Sequence, residues 1–138
     1  MDEASVAEET RAYLSWFEDL ERSVKPDQGV VSRHYRSRLL TAYSRYSMLK
    51  AAVQGAPSLC IADITVAQPG CGLFSALCDQ FEAADCPIHA QALFVENVTN
   101  RRFIGWLERR GFLLCPHSNL QLLPTLYLAC ARTPTTKG

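Results

Sequence analysis

The sequence predicts an α/β (α+β) domain, and three stretches carry that prediction. Ile61–Phe74, IADITVAQPGCGLF, runs from a β-branched apolar segment through Gln68-Pro69-Gly70-Cys71-Gly72 into Leu73, Phe74, Leu77, Cys78, Phe81 and Ala84 at helical spacing. Ala90–Val95, AQALFV, reads as a second buried strand, followed by a helix over Arg101–Arg110 with Gly111 as its natural C′ residue. Near the start, Val6, Tyr13, Leu14, Phe17, Leu20 and Val24 share one helical face.

The 138 residues are 48% hydrophobic and 20% charged, enough apolar material for one compact core. We therefore read residues 1–138 as a single domain, with a helical part over 1–43, a sheet core over 44–131 and a frayed tail over 132–138. The formal net charge is zero, so no global field favours nucleic acid or an anionic membrane. No apolar run approaches ~18 residues, and Met1-Asp2-Glu3 opens an acidic segment unlike a signal peptide. These features predict a soluble, cytoplasmic chain. Its six cysteines (Cys60, Cys71, Cys78, Cys86, Cys115, Cys130) form no Cys-x-x-Cys and lie mostly in apolar runs, as reduced structural thiols do. His34, His89 and His117 are scattered, so no metal site is predicted.

Taken in order, residues 1–23 hold seven acids against Arg11 and Arg22, and 24–50 hold six bases against Asp27 alone. The acidic stretch is the first helix, ended by the turn Pro26-Asp27-Gln28-Gly29. Val31, Tyr35 and Leu39 at i, i+4, i+8 predict a second helix over Val30–Leu40, whose arginines form a solvated face beside the acidic one. Arg45–Gln54 and Leu59–Val66 flank Gly55-Ala56-Pro57-Ser58 as a hairpin. The second arm is apolar apart from Asp63 and Thr65, as a central strand covered on both faces would be. Asn97 or Asn100 caps the helix over Arg101–Arg110. Phe112–Cys115 and Leu126–Ala131 close the sheet around a Pro116–Pro124 loop.

A strand, a glycine turn and a helix in direct succession aim unpaired backbone N–H groups and a helix dipole at one spot, which suits a phosphate without any basic side chain. Gly70 and Gly72 keep that backbone accessible. Two carboxylates stand in otherwise apolar strand contexts, Asp63 within the central strand and Glu96 just past its neighbour. Desolvation there would raise a carboxylate toward the range of a useful general base. The alternative for Asp63 is a buried carboxylate satisfied by backbone or Arg45, and for Glu96 an acid favoured by the dipole of the following helix.

Two local patterns give the order of elements a family likeness. VAQPGCGL, from Val66 to Leu73, is similar to the Gln/Arg-x-x-Gly-x-Gly/Ala pyrophosphate loop of the GNAT-type acyl-CoA N-acyltransferases. NRRFIGWLERRGF, from Asn100 to Phe112, resembles that family's Asn, helix and Gly-Phe strand opening. The resemblance covers roughly residues 44–131. It implies a mixed central sheet with flanking helices, two of them N-terminal, and transfer of an acyl group, acetyl above all, from acyl-CoA to a primary amine on a protein or small molecule. It implies a pyrophosphate on the N–H groups of Gly70, Cys71, Gly72, Leu73 and Phe74. It implies pantetheine amides on the backbone of Thr65 and Val66, with Asn100 on the pantetheine arm and Arg101 near the phosphates. Asp63 and Glu96 become the candidate bases, and a homodimer is admitted.

The chain departs from the family at three points. The loop is one residue short, Cys71 stands where a basic residue is common, and Leu107 occupies the place of a frequent tyrosine acid. The rival expectation is a GNAT-fold module that binds acyl-CoA or a protein without turnover. Nucleic-acid binding comes third, with only local arginine clusters in its favour.

Overall fold

The computed structural model describes residues 2–48, 56–68, 70–115 and 124–130. Along them run α1 (Glu3–Ser23), β1 (Val30–Arg36), β2 (Leu40–Ser47), β3 (Ser58–Val66), α2 (Leu73–Glu82), β4 (Ala92–Val95), α3 (Arg101–Arg110), β5 (Leu113–Leu114) and β6 (Leu126–Ala129). The strands form one six-stranded sheet in the order β1-β2-β3-β4-β6-β5. Only β3 and β4 are parallel, and the crossover between them contains α2. The class is therefore α/β with a mixed sheet, as the sequence predicts.

The α1 helix starts where Asp2 accepts a hydrogen bond from the Ser5 N–H at 2.8 Å. It buries Val6, Thr10, Tyr13, Leu14, Phe17 and Leu20, one stripe of a 3.6-residue period. Thr10 satisfies its hydroxyl locally by donating to the Val6 carbonyl at 2.8 Å. Tyr13 reaches the sheet, where its hydroxyl and that of Ser44 are 2.6 Å apart with both residues buried.

The second N-terminal helix is not formed. Val30–Arg36 is an edge strand paired antiparallel with β2, so the helical part ends at Ser23 and the sheet begins before residue 44. The reason lies in the period. A spacing of i, i+4, i+8 is even, so it satisfies the two-residue repeat of a strand as well as a helix. Val30, Val31, Tyr35, Thr41, Tyr43 and Tyr46 are β-formers, and Ser37 makes the reversal by hydrogen-bonding both ways with Leu40. The hairpin arm expected over Arg45–Gln54 is likewise earlier, at Leu40–Ser47. Residues 49–55, 69, 116–123 and 131–138 lie outside the described residues. With them lie Gly55 of the expected turn, Pro69, most of the Pro116–Pro124 loop and the tail.

One irregularity shapes the sheet. Tyr43 pairs with Asp63 but Ser44 with Ile61, so Ala62 is a β-bulge opposite a continuous β2. A bulge bends its strand and increases the local twist. Parallel pairing of β3 with β4 covers four residue pairs and stops at Ile61↔Val95, with a last bond from the Glu96 N–H to the Ile61 carbonyl at 2.9 Å. Beyond it β3 continues for five residues without β4.

All three helices contribute to one core. Tyr13, Leu14 and Phe17 of α1, Leu73, Leu77 and Phe81 of α2 and Leu107 of α3 pack with Leu59, Ile61, Leu93, Val95 and Leu126 of the sheet. The opposite face buries Cys60, Ala92 and Phe94, against which Cys115 and Tyr127 pack. β4 is consequently buried at all four positions. All six cysteines are free, and burial pushes the Cys78 thiol up to about 12, which leaves it inert.

Candidate functional site

The turn between β3 and α2 holds Gly70 at φ +82° and Gly72, the N-cap of α2, at φ +83°. These left-handed values, which strain a residue with a Cβ, are why glycine stands there. A Cβ at either position would meet nothing within 4 Å, so conformation and not crowding makes the demand. The first intrahelical bond of α2 is Ala76 N–H to the Gly72 carbonyl at 3.0 Å. The N–H groups of Leu73, Phe74 and Ser75 therefore have no intrahelical acceptor, and Gly72 supplies no capping side chain. Leu73 is buried beneath the turn and Cys71 is half-buried beside it.

Two clefts lie in this part of the molecule, one of them against the turn. One, of about 170 Å³, fills the gap where β3 and β4 part, between Ile61–Ile64 and the run from Val95 to Asn100. The other, about 270 Å³ and mostly apolar, lies between Val66, the glycine turn and the rings of Phe103 and Trp106. Phe103 lines both. Its ring stacks with Trp106 at 6.1 Å and meets Phe74 edge-on at 5.3 Å, tying the first turn of α2 to α3. Arg110 braces the same two helices farther along, reaching Asp79 at 3.0 Å and Glu82 at 2.7 Å.

The bonding of β3 decides which backbone faces the gap. Ala67 donates to the Leu39 carbonyl at 2.9 Å, so Leu40↔Val66 is a pair without mutual bonds and Thr41↔Thr65 exchanges them. Thr65 thus spends its backbone on β2. The groups left facing the gap are those of Ile64 and Val66, so the expected pair of Thr65 and Val66 is half corrected.

Asp63 and Glu96 do meet in the gap, though in different states from those the sequence suggests. Asp63 is exposed, because the strand that carries it has lost its neighbour, and the desolvation behind its role as base is absent. Glu96 is 8% exposed and its Oε1 accepts from Arg45 Nη1 at 2.6 Å. Arg45 thus pairs with Glu96 and not with Asp63. Burial opposes the charge on Arg45, and the hydrogen bond and charge of Glu96 outweigh it, leaving the guanidinium above its usual value. The pair engages Glu96 Oε1 as an acceptor for Arg45, a commitment that its role as a free general base does not include.

Asn100 is the N-cap of α3, accepting from the Arg102 and Phe103 N–H groups at 2.9 and 3.2 Å. Its oxygen is spent on the helix, and only its amide donors remain for a ligand. Asn97, the other capping candidate, instead turns the chain after β4 at φ +56°, where asparagine is tolerated. Arg101 is exposed in the first turn of α3 and lines neither cleft. Leu107 is fully buried, and its own carbonyl accepts from the Phe112 N–H at 2.9 Å as the helix ends.

Sequence reasoning missed Phe103, Trp106 and the Arg45–Glu96 pair as parts of this region. The two aromatic residues are three apart in a helix, spacing that would have put them on one face. The ion pair spans three strands and depends on the register of β2, which the hairpin arm expected over Arg45–Gln54 set too late in the chain. No protein family, no curated protein and no solved structure matches the chain.

Proposed function

We propose that this chain is a GNAT-type N-acyltransferase that moves an acyl group, acetyl first among them, from acyl-CoA to a primary amine. The observation that carries the proposal is the parting of the parallel strands β3 and β4 beside a left-handed glycine turn at a helix N-terminus. An acyl-CoA is long and carries both amides and phosphates. A gap with free strand backbone suits the amides, and the unpaired N–H groups of Leu73, Phe74 and Ser75 suit the pyrophosphate. The apolar cleft at Val66, Phe103 and Trp106 joins the two.

In this reading the amine nitrogen attacks the thioester carbonyl carbon. An N–C bond forms, the C–S bond breaks, and the CoA sulfur leaves with the bonding electrons. The nitrogen gives up its proton to water in the open gap, and water also protonates the thiolate, whose pKa, ~8.5 by analogy with cysteine, makes it an adequate leaving group. Asp63, with Glu96 already paired to Arg45, keeps the acceptor side negative, which favours the ammonium that forms during attack. Leu107 supplies no acid.

A second reading, a binding module without turnover, draws support from Glu96 being held by Arg45 and Leu107 lying in the core. The test is stabilisation by acetyl-CoA, compared with CoA and ATP, followed by thiol release across a panel of amines and peptides. At ~100 times its dissociation constant acetyl-CoA should add about 2.7 kcal/mol. No CoA-dependent shift would end the transferase reading and the module as an acyl-CoA binder, leaving only a protein-binding module. A shift without amine-dependent release across a broad panel would leave only the module.

A further inference from the structure

The sheet face opposite the helices differs from end to end. At one end Ser47, Ser58, Cys60 and Ala92 are buried. At the other, past the bulge, Thr41, Tyr43, Asp63 and Thr65 share a face, and Asp63 and Thr65 are exposed. This open floor adjoins the gap between β3 and β4, so a molecule lying on it can reach through to a ligand in the gap.

The charges on the floor are unequal in availability. Glu96 is committed to Arg45 at 2.6 Å. Asp63 has no ion pair or hydrogen bond to its carboxylate among the described residues, and its cross-strand neighbour on the same face is Tyr43. The Tyr43 ring already faces a cation, the Arg45 guanidinium carbon lying 6.0 Å from its centroid, and His34 packs beside it at 4.5 Å. Among the described residues the other arginine on this face, Arg36, belongs to the edge strand β1 beyond Thr41. A bare carboxylate next to an electron-rich ring recognises an organic cation.

Resting on the transferase reading, we propose that the acceptor is a primary amine bearing a second cationic group, a diamine or a basic side chain with a charged neighbour. The second cation sits between the Asp63 carboxylate and the Tyr43 ring. The reacting nitrogen reaches the gap beside Glu96 and loses its proton to water there. The cation at Asp63 stays protonated and takes no part in bond making.

Diaminobutane and butylamine have the same chain length and differ by one ammonium, so they isolate this seat. Calorimetry in the presence of acetyl-CoA, with thiol release read in parallel, should show wild type preferring diaminobutane by about tenfold. In Asp63→Asn that ratio should fall toward one, and Asp63→Glu should restore part of it. Equal handling of the two amines by wild type, a ratio that survives Asp63→Asn, or no binding of either amine would overturn the proposal. Acetyl-CoA binding is measured separately on wild type. Its absence would sink the transferase reading, whereas a diamine held through Asp63 would still support the cation seat.

Discussion

The half of the molecule built from α1, β1 and β2 and the half built from β3, α2, β4 and α3 differ in how much of their polar backbone they leave open. In the first, side chains close polar contacts across elements. Tyr13 meets Ser44 at 2.6 Å, and Glu9 accepts from Tyr35 and Ser37, both at 2.8 Å. Glu21 accepts from the backbone of His89 and Ala90, anchoring the loop before β4. In the second half the aromatic rings and the Arg110 ion pairs hold α2 against α3, while the free edge of β3 and the first N–H groups of α2 are left open. Buried polar groups need partners, so closure marks scaffold and openness marks the place where a ligand can supply what is missing.

That contrast can be broken most severely from the scaffold side. Phe17 is fully buried under α1. Phe17→Ala should cost ~3–5 kcal/mol in denaturant unfolding. If the ligand site belongs to the other half, acetyl-CoA should still raise the midpoint of the folded fraction. A variant that loses stability and ligand response together would erase the division.

A smaller effect comes from the open half. Gly72→Val should cost ~1–3 kcal/mol, because a β-branched residue is strained at φ +83°, and it should abolish most of the acetyl-CoA shift. The backbone must leave the left-handed region to relieve the strain, and this re-aims the N–H groups behind it. A Gly72→Val protein that unfolds like wild type and keeps the full shift would show that the turn is mere connection.

The smallest effect sharpens the account of the scaffold. Burial, partly countered by the His89 and Ala90 N–H groups, raises the Glu21 carboxyl above its ordinary value of 4.5. The folded state therefore holds that proton more tightly than the unfolded state does. Its contribution is complete below the unfolded value and declines as pH rises from about 4.5 through the folded one. The stability of wild type relative to Glu21→Gln should fall as pH rises above about 4.5 and level off once the folded-state carboxyl has ionised. A difference that grows with pH would mean that the N–H groups, not burial, govern this carboxylate.

The sequence showed the second half more clearly than the first. Ile61–Phe74 and Asn100–Phe112 carry signals that are local, namely a glycine pair, a capping asparagine and a helical repeat. Each appears where the sequence places it. Val30–Leu40 misled because its apolar spacing fits two periods, and only pairing with β2 chooses between them. The hairpin arm, read from Arg45 onward instead of Leu40–Ser47, hid the register of Tyr43 and Arg45 and with it the partner of Glu96. Asp63 misled for a related reason. An acid in an apolar run looks buried, yet beyond Ile61 the strand has no neighbour on one side.

Ala62 has a consequence of its own. Remove that residue and the strand would read Leu59, Cys60, Ile61, Asp63, Ile64, Thr65, Val66, still alternating without a fault. Every side chain would keep the face it has now, so the surplus residue contributes nothing to the hydrophobic pattern and everything to the curve of the chain. The length of this strand is therefore a shape instruction written separately from its composition. A deletion of one alanine would address it while leaving the chemistry of every neighbour intact.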